Sequence, residues 1–178
     1  GLLEDQAMSD RYGRIQLLLA QHRYEMAERD LRSMLAEEPR DATAHALLSL
    51  CILHDARRMS EATETAQQAV GLAPDEPLSH YALAVSYLRR NRNEEAEAAI
   101  RESIRLDPYD ANAFAILGQS YLSRNRFQES LDAADQGLAV DPDHTDCGNV
   151  RSISLERLGR GDEAIASAGE TLRSRNAS

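Results

Sequence analysis

Proline recurs at Pro39, Pro74, Pro108 and Pro142, at separations of 35, 34 and 34 residues, each time behind an amphipathic helical stretch. A second series keeps a small side chain in step: Ala27, Ala62, Ala96, Ser130 and Ala164, separated by 35, 34, 34 and 34 residues. Two independent markers with one period mean a supersecondary unit copied in tandem, because a single unit cannot bury its apolar face alone. The core of such a chain has to be built between neighbouring copies.

Within each unit the apolar spacing predicts two helices joined by short polar turns. The first helices are placed at 9–21, 42–55, 77–90, 111–124 and 145–158, and the second at 24–37, 59–72, 93–106, 127–140 and 161–174. Asp41, Asp75, Asp107, Asp110 and Asp141 crowd the turns ahead of first helices. A carboxylate there satisfies free amides and meets the positive end of the helix dipole, while the proline stops the preceding helix. The second unit carries one extra residue in HDARRMS, between its helices, which predicts a longer turn and an intact stack. Composition agrees with an all-α chain: Trp is absent, aromatics reach only 4%, and Ala, Leu, Glu and Arg are plentiful.

The segments HYALAVSYLRRNRNEEAEAAIRESIRLDP, from His80, and FAILGQSYLSRNRFQESLDAADQGLAVDP, from Phe114, carry a recognisable pattern. On the first helix His80, Leu83 with Ala84, and Tyr87 lie one turn apart, as do Phe114, Leu117 with Gly118, and Tyr121. These segments resemble the tetratricopeptide repeat (TPR) family. The resemblance implies a right-handed α-solenoid of about five helix-turn-helix repeats, at 8–41, 42–76, 77–110, 111–144 and 145–178. Residues 1–7 then read as an N-terminal extension or remnant ahead of a single domain, 8–178. The pattern departs at both ends: Arg11 and Arg14 stand where the first unit should offer an aromatic and Leu, Gly148 and Arg151 do so in the fifth, and no proline closes the last unit.

The resemblance also implies that first helices line a concave groove. The stripe expected to face it runs through Tyr12 and Gln16, then Leu50 and Leu53, then Leu78, Tyr81, Val85 and Leu88, then Gln119 and Leu122. Polarity rises toward Asp146, Asn149 and Glu156. An open apolar trough of this kind marks an interaction site, whereas curvature that tucks Leu50, Leu53, Val85 and Leu88 between neighbouring helices makes the same residues core. Some family members grip a chaperone C-terminus with Lys, Arg and Asn; all 20 basic residues here are Arg, and the places where such a clamp begins hold Tyr12 and Gln16, so that clamp is not expected.

Charge is sorted by edge. Turns within units carry Arg23, Arg57, Arg58, Arg89, Arg90, Arg92, Arg124, Arg126, Arg157 and Arg160, while turns between units carry acids, which predicts one basic and one acidic rim. Such rims suit the helix dipoles, and they also permit edge-to-edge self-association. With a net charge of −10 and a pI near 5.0, nucleic acid and anionic lipid are poor partners. No apolar run is long enough to span a membrane, and the first residues do not read as a signal peptide.

Catalytic and metal chemistry finds no constellation. The five histidines are dispersed, and Cys51 with His54 makes only two ligands, too few for a closed zinc site. His45 and His80 hold matching places where an aromatic is favoured, so packed imidazoles are expected. No phosphate loop, nucleophile elbow or catalytic carboxylate pair can be traced. Two cysteines give no disulfide framework and point to a reducing, cytoplasmic setting, with an upstream targeting or anchoring segment left open. The expectation is a non-catalytic module, without cofactor or metal, that binds an apolar-anchored peptide or protein in its groove. A self-assembling scaffold and a regulatory region of a larger protein are the alternatives.

Overall fold

A computed structural model describes the backbone at residues 2–166 and 169, and side-chain surroundings from residue 9 within that span. The chain is an all-α helical repeat solenoid, with no strand among the described residues. The first helices of the five units are α1 (Leu2–Ala20), α3 (Ala42–Ile52), α5 (Pro77–Arg89), α7 (Ala111–Leu122) and α9 (Thr145–Arg157). The second helices are α2 (Tyr24–Glu37), α4 (Met59–Leu72), α6 (Asn93–Leu106) and α8 (Phe127–Val140), followed by a helical segment at 161–166. The four complete second helices match their expected limits. Helix α1 begins at Leu2, ahead of its expected start, and the rest of the fifth second helix lies outside the described residues.

Within-unit turns share one device. His22, Asn91, Asn125 and Gly159 adopt φ of 57°, 57°, 58° and 75°, the left-handed conformation that glycine and asparagine tolerate best. In the third unit the Arg92 amide donates to the Tyr87 carbonyl at 2.9 Å and the Asn91 amide to Leu88 at 3.0 Å, the paired bonds of a Schellman cap. The fourth unit repeats them from Arg126 and Asn125. The second unit departs: α3 stops at Ile52, and the extra residue is absorbed by a 3₁₀ turn, Ala56–Arg58, where the Asp55 carboxylate accepts from the Arg57 amide at 3.0 Å.

Between units, Asp41 accepts from the Ala44 amide and Asp110 from the Asn112 amide, as sequence predicts. Asp107 and Asp141 instead close the preceding turn, accepting from the Tyr109 and Asp143 amides. Pro77 opens α5, and the imidazole of His144 caps α9 by accepting from the Cys147 amide.

The small-residue series is the seam on which each pair closes. Ala27, Ala62, Ala96 and Ser130 are wholly buried. Ser130 Oγ donates to the Gly118 carbonyl at 2.9 Å, and Ser49 Oγ to the Ala62 carbonyl at 2.7 Å, so backbones approach closely enough for side chains to bond across. A second small series, Ala69, Ser103 and Gly137, has the same 34-residue step and is also buried. A Cβ built on Gly137 falls 2.3 Å from Cys147 Sγ and 3.0 Å from Phe114 Cβ, which makes glycine obligatory where three helices meet.

The core itself is segmented. Leu- and Ile-rich clusters fill units one and two (Ile15, Leu31, Leu47, Leu48, Ile52) and units three and four (Ile100, Leu117, Tyr121). Between them lies a seam of alanines, Ala46, Ala66, Ala69 and Ala82, with Leu50, Leu78 and Leu83 at its rim. At the N-terminal end the two arginines that break the expected pattern pair across the helices, Arg11 with Glu37 at 2.6 Å and Arg14 with Asp30 at 2.9 Å. Ion pairs at the first unit's outer seam give the polar end that a solenoid terminus needs.

Candidate interaction groove

Successive first helices approach one another, α3 against α5 and α7 against α9, with a lighter contact between α5 and α7, whereas second helices do not pack on each other to the same extent. The stack therefore curves with first helices on the inside. The wedge opened outside shows between α6 and α8 as a cleft of about 440 Å³, floored by Ile104, Phe114 and Leu117 and rimmed by Arg101, Glu129 and Gln136.

On the inner face the expected stripe divides. Leu50, Leu78, Tyr81, Val85, Leu88, Gln119 and Leu122 are half-buried, and Gln16 is exposed. Leu53 departs from expectation: it is 3% exposed and belongs to the core of the first two units. Leu53 caps α3 in helical conformation, its amide still bonded to the Ser49 carbonyl at 3.2 Å, and its side chain is covered by the core of the first two units. Leu50, Leu78 and Val85 also pack against that core while keeping part of their surface in water. Toward the C-terminus Asn112, Asp146, Asn149 and Glu156 are exposed, and Ile153 is 43% exposed, so the inner face does grow more polar.

The two tyrosines of the stripe behave differently. Tyr12 donates its hydroxyl to Asp41, which also caps α3, so this phenol ties the first unit to the second; burial, then the Asp41 bond, holds it in the neutral form. Tyr81 is half-buried, and among the described residues its hydroxyl has no hydrogen-bond partner. Burial, with the charges of Asp110 and Asp146, pushes it up to about 12. Its ring sits against apolar neighbours while the phenol remains available to donate.

The histidines and cysteines are occupied by the fold. His45 Nε2 meets the Pro39 carbonyl at 2.9 Å and His80 Nε2 the Pro74 carbonyl at 2.6 Å, each latching a first helix to the proline turn before it. The Cys51 thiol is directed to the Tyr24 carbonyl at 3.1 Å, and His54 Nδ1 lies 2.7 Å from the Cys51 carbonyl while its ring stacks on Tyr24. Among the described residues no three His, Cys, Asp or Glu side chains converge as metal ligands.

The expected basic rim is corrected by an unforeseen Arg-x-x-Glu register. Arg58, Arg92, Arg126 and Arg160 each pair with the glutamate three residues on, Glu61, Glu95, Glu129 and Glu163, at 2.7 to 2.9 Å. The 34-residue spacing of these paired marks is readable in the sequence. Glu28 reaches forward to Arg58 at 2.7 Å, and Glu97 to Arg124 at 2.6 Å and Arg126 at 3.2 Å. The Arg58 and Arg32 bonds, opposed by partial burial, hold Glu28 down to about 2. Carboxylates thus interleave with the arginines, and the rim offers no continuous cationic rail for edge-to-edge stacking.

A tetratricopeptide repeat family model matches residues 12–77, 55–111 and 117–178. The chain belongs to the tetratricopeptide repeat family. Among solved structures, it is similar to TTC0263, a thermophilic TPR protein of Thermus thermophilus, at 21% identity and a TM-score of 0.83, with 93% of this chain and 90% of that one covered. MamA is similar at 18% identity and a TM-score of 0.71, covering 92% and 95%. A MamA fragment from Desulfovibrio magneticus RS-1 gives 16% and 0.71, covering 95% of each. At these identities the likeness is one of fold. No curated protein matches by sequence. Membership makes this TPR chain a protein-interaction or scaffold module, a class that is generally non-catalytic. Among its described residues no helix is long and apolar enough to cross a membrane.

Proposed function

We propose that this TPR module binds a segment of another polypeptide along the inner face of its first helices, centred on units two and three. The observation that carries the reading is the run of half-buried apolar side chains, Leu50, Leu78, Tyr81, Val85 and Leu88, on two adjacent helices of one curved wall. Such a surface costs free energy in water and returns it when a ligand's apolar anchors cover it. The unpaired Tyr81 hydroxyl gives the site a directional donor beside that apolar surface.

The test is peptide selection by phage display, with affinities then read by fluorescence anisotropy. Selected sequences are expected to carry spaced apolar anchors and to lose about tenfold or more in affinity on Tyr81→Ala. Equal affinity for the Leu50→Asp, Tyr81→Ala double variant would move the site off this face.

A second reading, a self-associating scaffold, is favoured by Ile153 and Ile165, 43% and 75% exposed near the C-terminal end. Light scattering that gives a monomer mass at all concentrations argues against it.

A further inference from the structure

Each junction between units can be compared at the same register. Glu28 in the first unit and Glu97 in the third occupy one place on the second helix, and both hold arginines from the next unit's turn. In the second unit that place is Thr63. The register also replaces Arg101, which contacts Glu97 and the Tyr121 hydroxyl, with Gln67, which donates to the Tyr87 hydroxyl. Both charged members of the third-unit network are therefore neutral in the second.

The arginines of the following turn were not neutralised with them. Arg90, matching Arg124, is exposed and donates one hydrogen bond, at 3.2 Å, to the neutral Thr63 hydroxyl. Among the described residues neither Arg90 nor Arg89 is paired with a carboxylate, and Arg92 shares only Glu95. Thr63 is 2% exposed, and its own hydroxyl is committed to the Met59 carbonyl at 2.9 Å, so it cannot move outward to serve the guanidinium. Threonine carries no charge, so α4 supplies nothing at this place to match the carboxylate that Glu97 offers one unit later.

We infer that the junction between the second and third units accepts a carboxylate side chain from an acidic segment of a partner polypeptide, which pairs with the exposed Arg90 where the second unit supplies no glutamate of its own. The guanidinium presents a planar fork suited to a carboxylate. Nucleic acid is disfavoured, because one guanidinium fork matches a single carboxylate and offers no track of positive charge for a phosphate backbone. A single cationic junction also does not match the acidic turns that recur at every unit, so a short foreign segment fits better than a second copy laid edge to edge. The site lies at the turn between α5 and α6, and is separate from the groove centred on Tyr81.

The test uses an N-acetylated, fluorescein-labelled hexaglutamate peptide and anisotropy at low salt. Binding to the wild-type chain is expected, with Thr63→Val retaining it and both Thr63→Glu and Arg90→Gln weakening it about tenfold or more. Thr63→Glu is the decisive variant, since it restores the arrangement that Glu97 already makes and supplies the carboxylate from within. Tyr81→Ala is expected to leave this affinity unchanged, which separates failure here from failure of the groove reading. No binding to the wild-type chain at about 1 mM, or equal binding by Thr63→Glu, overturns the inference. Self-association of the unliganded chain that disappears with Arg90→Gln also overturns it, by assigning the turn to a second copy.

Discussion

Replacing Gly137 with alanine tests the packing where α7, α8 and α9 converge. The added methyl would lie 2.3 Å from Cys147 Sγ, more than an ångström inside the ordinary 3.4 to 4 Å contact, and 3.0 Å from Phe114 Cβ. Cys147 is wholly buried and its thiol is held to the Ala111 carbonyl at 3.3 Å, so the sulfur has no free direction. Overpacking of this kind costs about 1–3 kcal/mol, against about 1 kcal/mol gained by replacing glycine inside a helix. A net loss of up to about 2 kcal/mol should lower the Tm by up to about 8 °C in a chain of this length. Removing the sulfur with Cys147→Ala leaves Cys147 Cβ at 3.4 Å, an ordinary contact, and only the Phe114 contact tight. In that background Gly137→Ala should be close to neutral, giving a coupling of up to about 2 kcal/mol in a double-mutant cycle read by thermal and urea denaturation. A higher Tm for Gly137→Ala in the wild-type background, or purely additive effects, would refute the reasoning.

Two further outcomes follow from the junctions. Glu28 is held at about 2 in the folded chain against 4.5 ordinarily, so its ion pairs contribute stability above pH 4.5 that is lost as pH falls toward 2; Glu28→Gln should be less stable than wild type at pH 7, and the gap in Tm should close over that window. A gap that persists at pH 2 would assign the loss to packing. At the start of α6 the Asn93 carboxamide oxygen is buried without a partner among the described residues, where Met59 and Phe127 hold the same register; Asn93→Met should raise the Tm by about 2–12 °C, since an unsatisfied buried acceptor costs about 1–3 kcal/mol. A Tm at or below wild type would show that the oxygen is satisfied in solution.

The limits of the second helices were legible because two local signals bracket each of them: a polar turn before and a proline turn after. Helix α3 defeats the same logic. Its apolar pattern runs on past Ile52, yet the inserted residue forces a 3₁₀ turn, and an insertion shows in spacing without showing where the backbone bends. The inner stripe was legible as a set but not by member, because Leu50 and Leu53 lie one turn apart at the end of α3 and differ in burial through what packs over each. Tyr12 and Tyr81 share a register too. Their separate fates depend on whether a hydroxyl reaches the next unit's capping aspartate, a distance that no sequence pattern records. Gly137 and the Arg-x-x-Glu marks also stand at the 34-residue step, but spacing records neither the Cys147 contact nor the ion pairs that give them meaning.

The alanine seam has a mechanical meaning. In a linear array each unit leans only on its neighbours, so resistance to coming apart is set link by link. Methyl groups from Ala46, Ala66, Ala69 and Ala82 lose far less by parting than the leucines and isoleucines on either side. The holding together of units two and three therefore falls to Leu50, Leu78 and Leu83 at the rim of the seam, while the alanines let α3, α4 and α5 come close. Any parting at this link uncovers those rim leucines first, and two of them, Leu50 and Leu78, also line the inner wall.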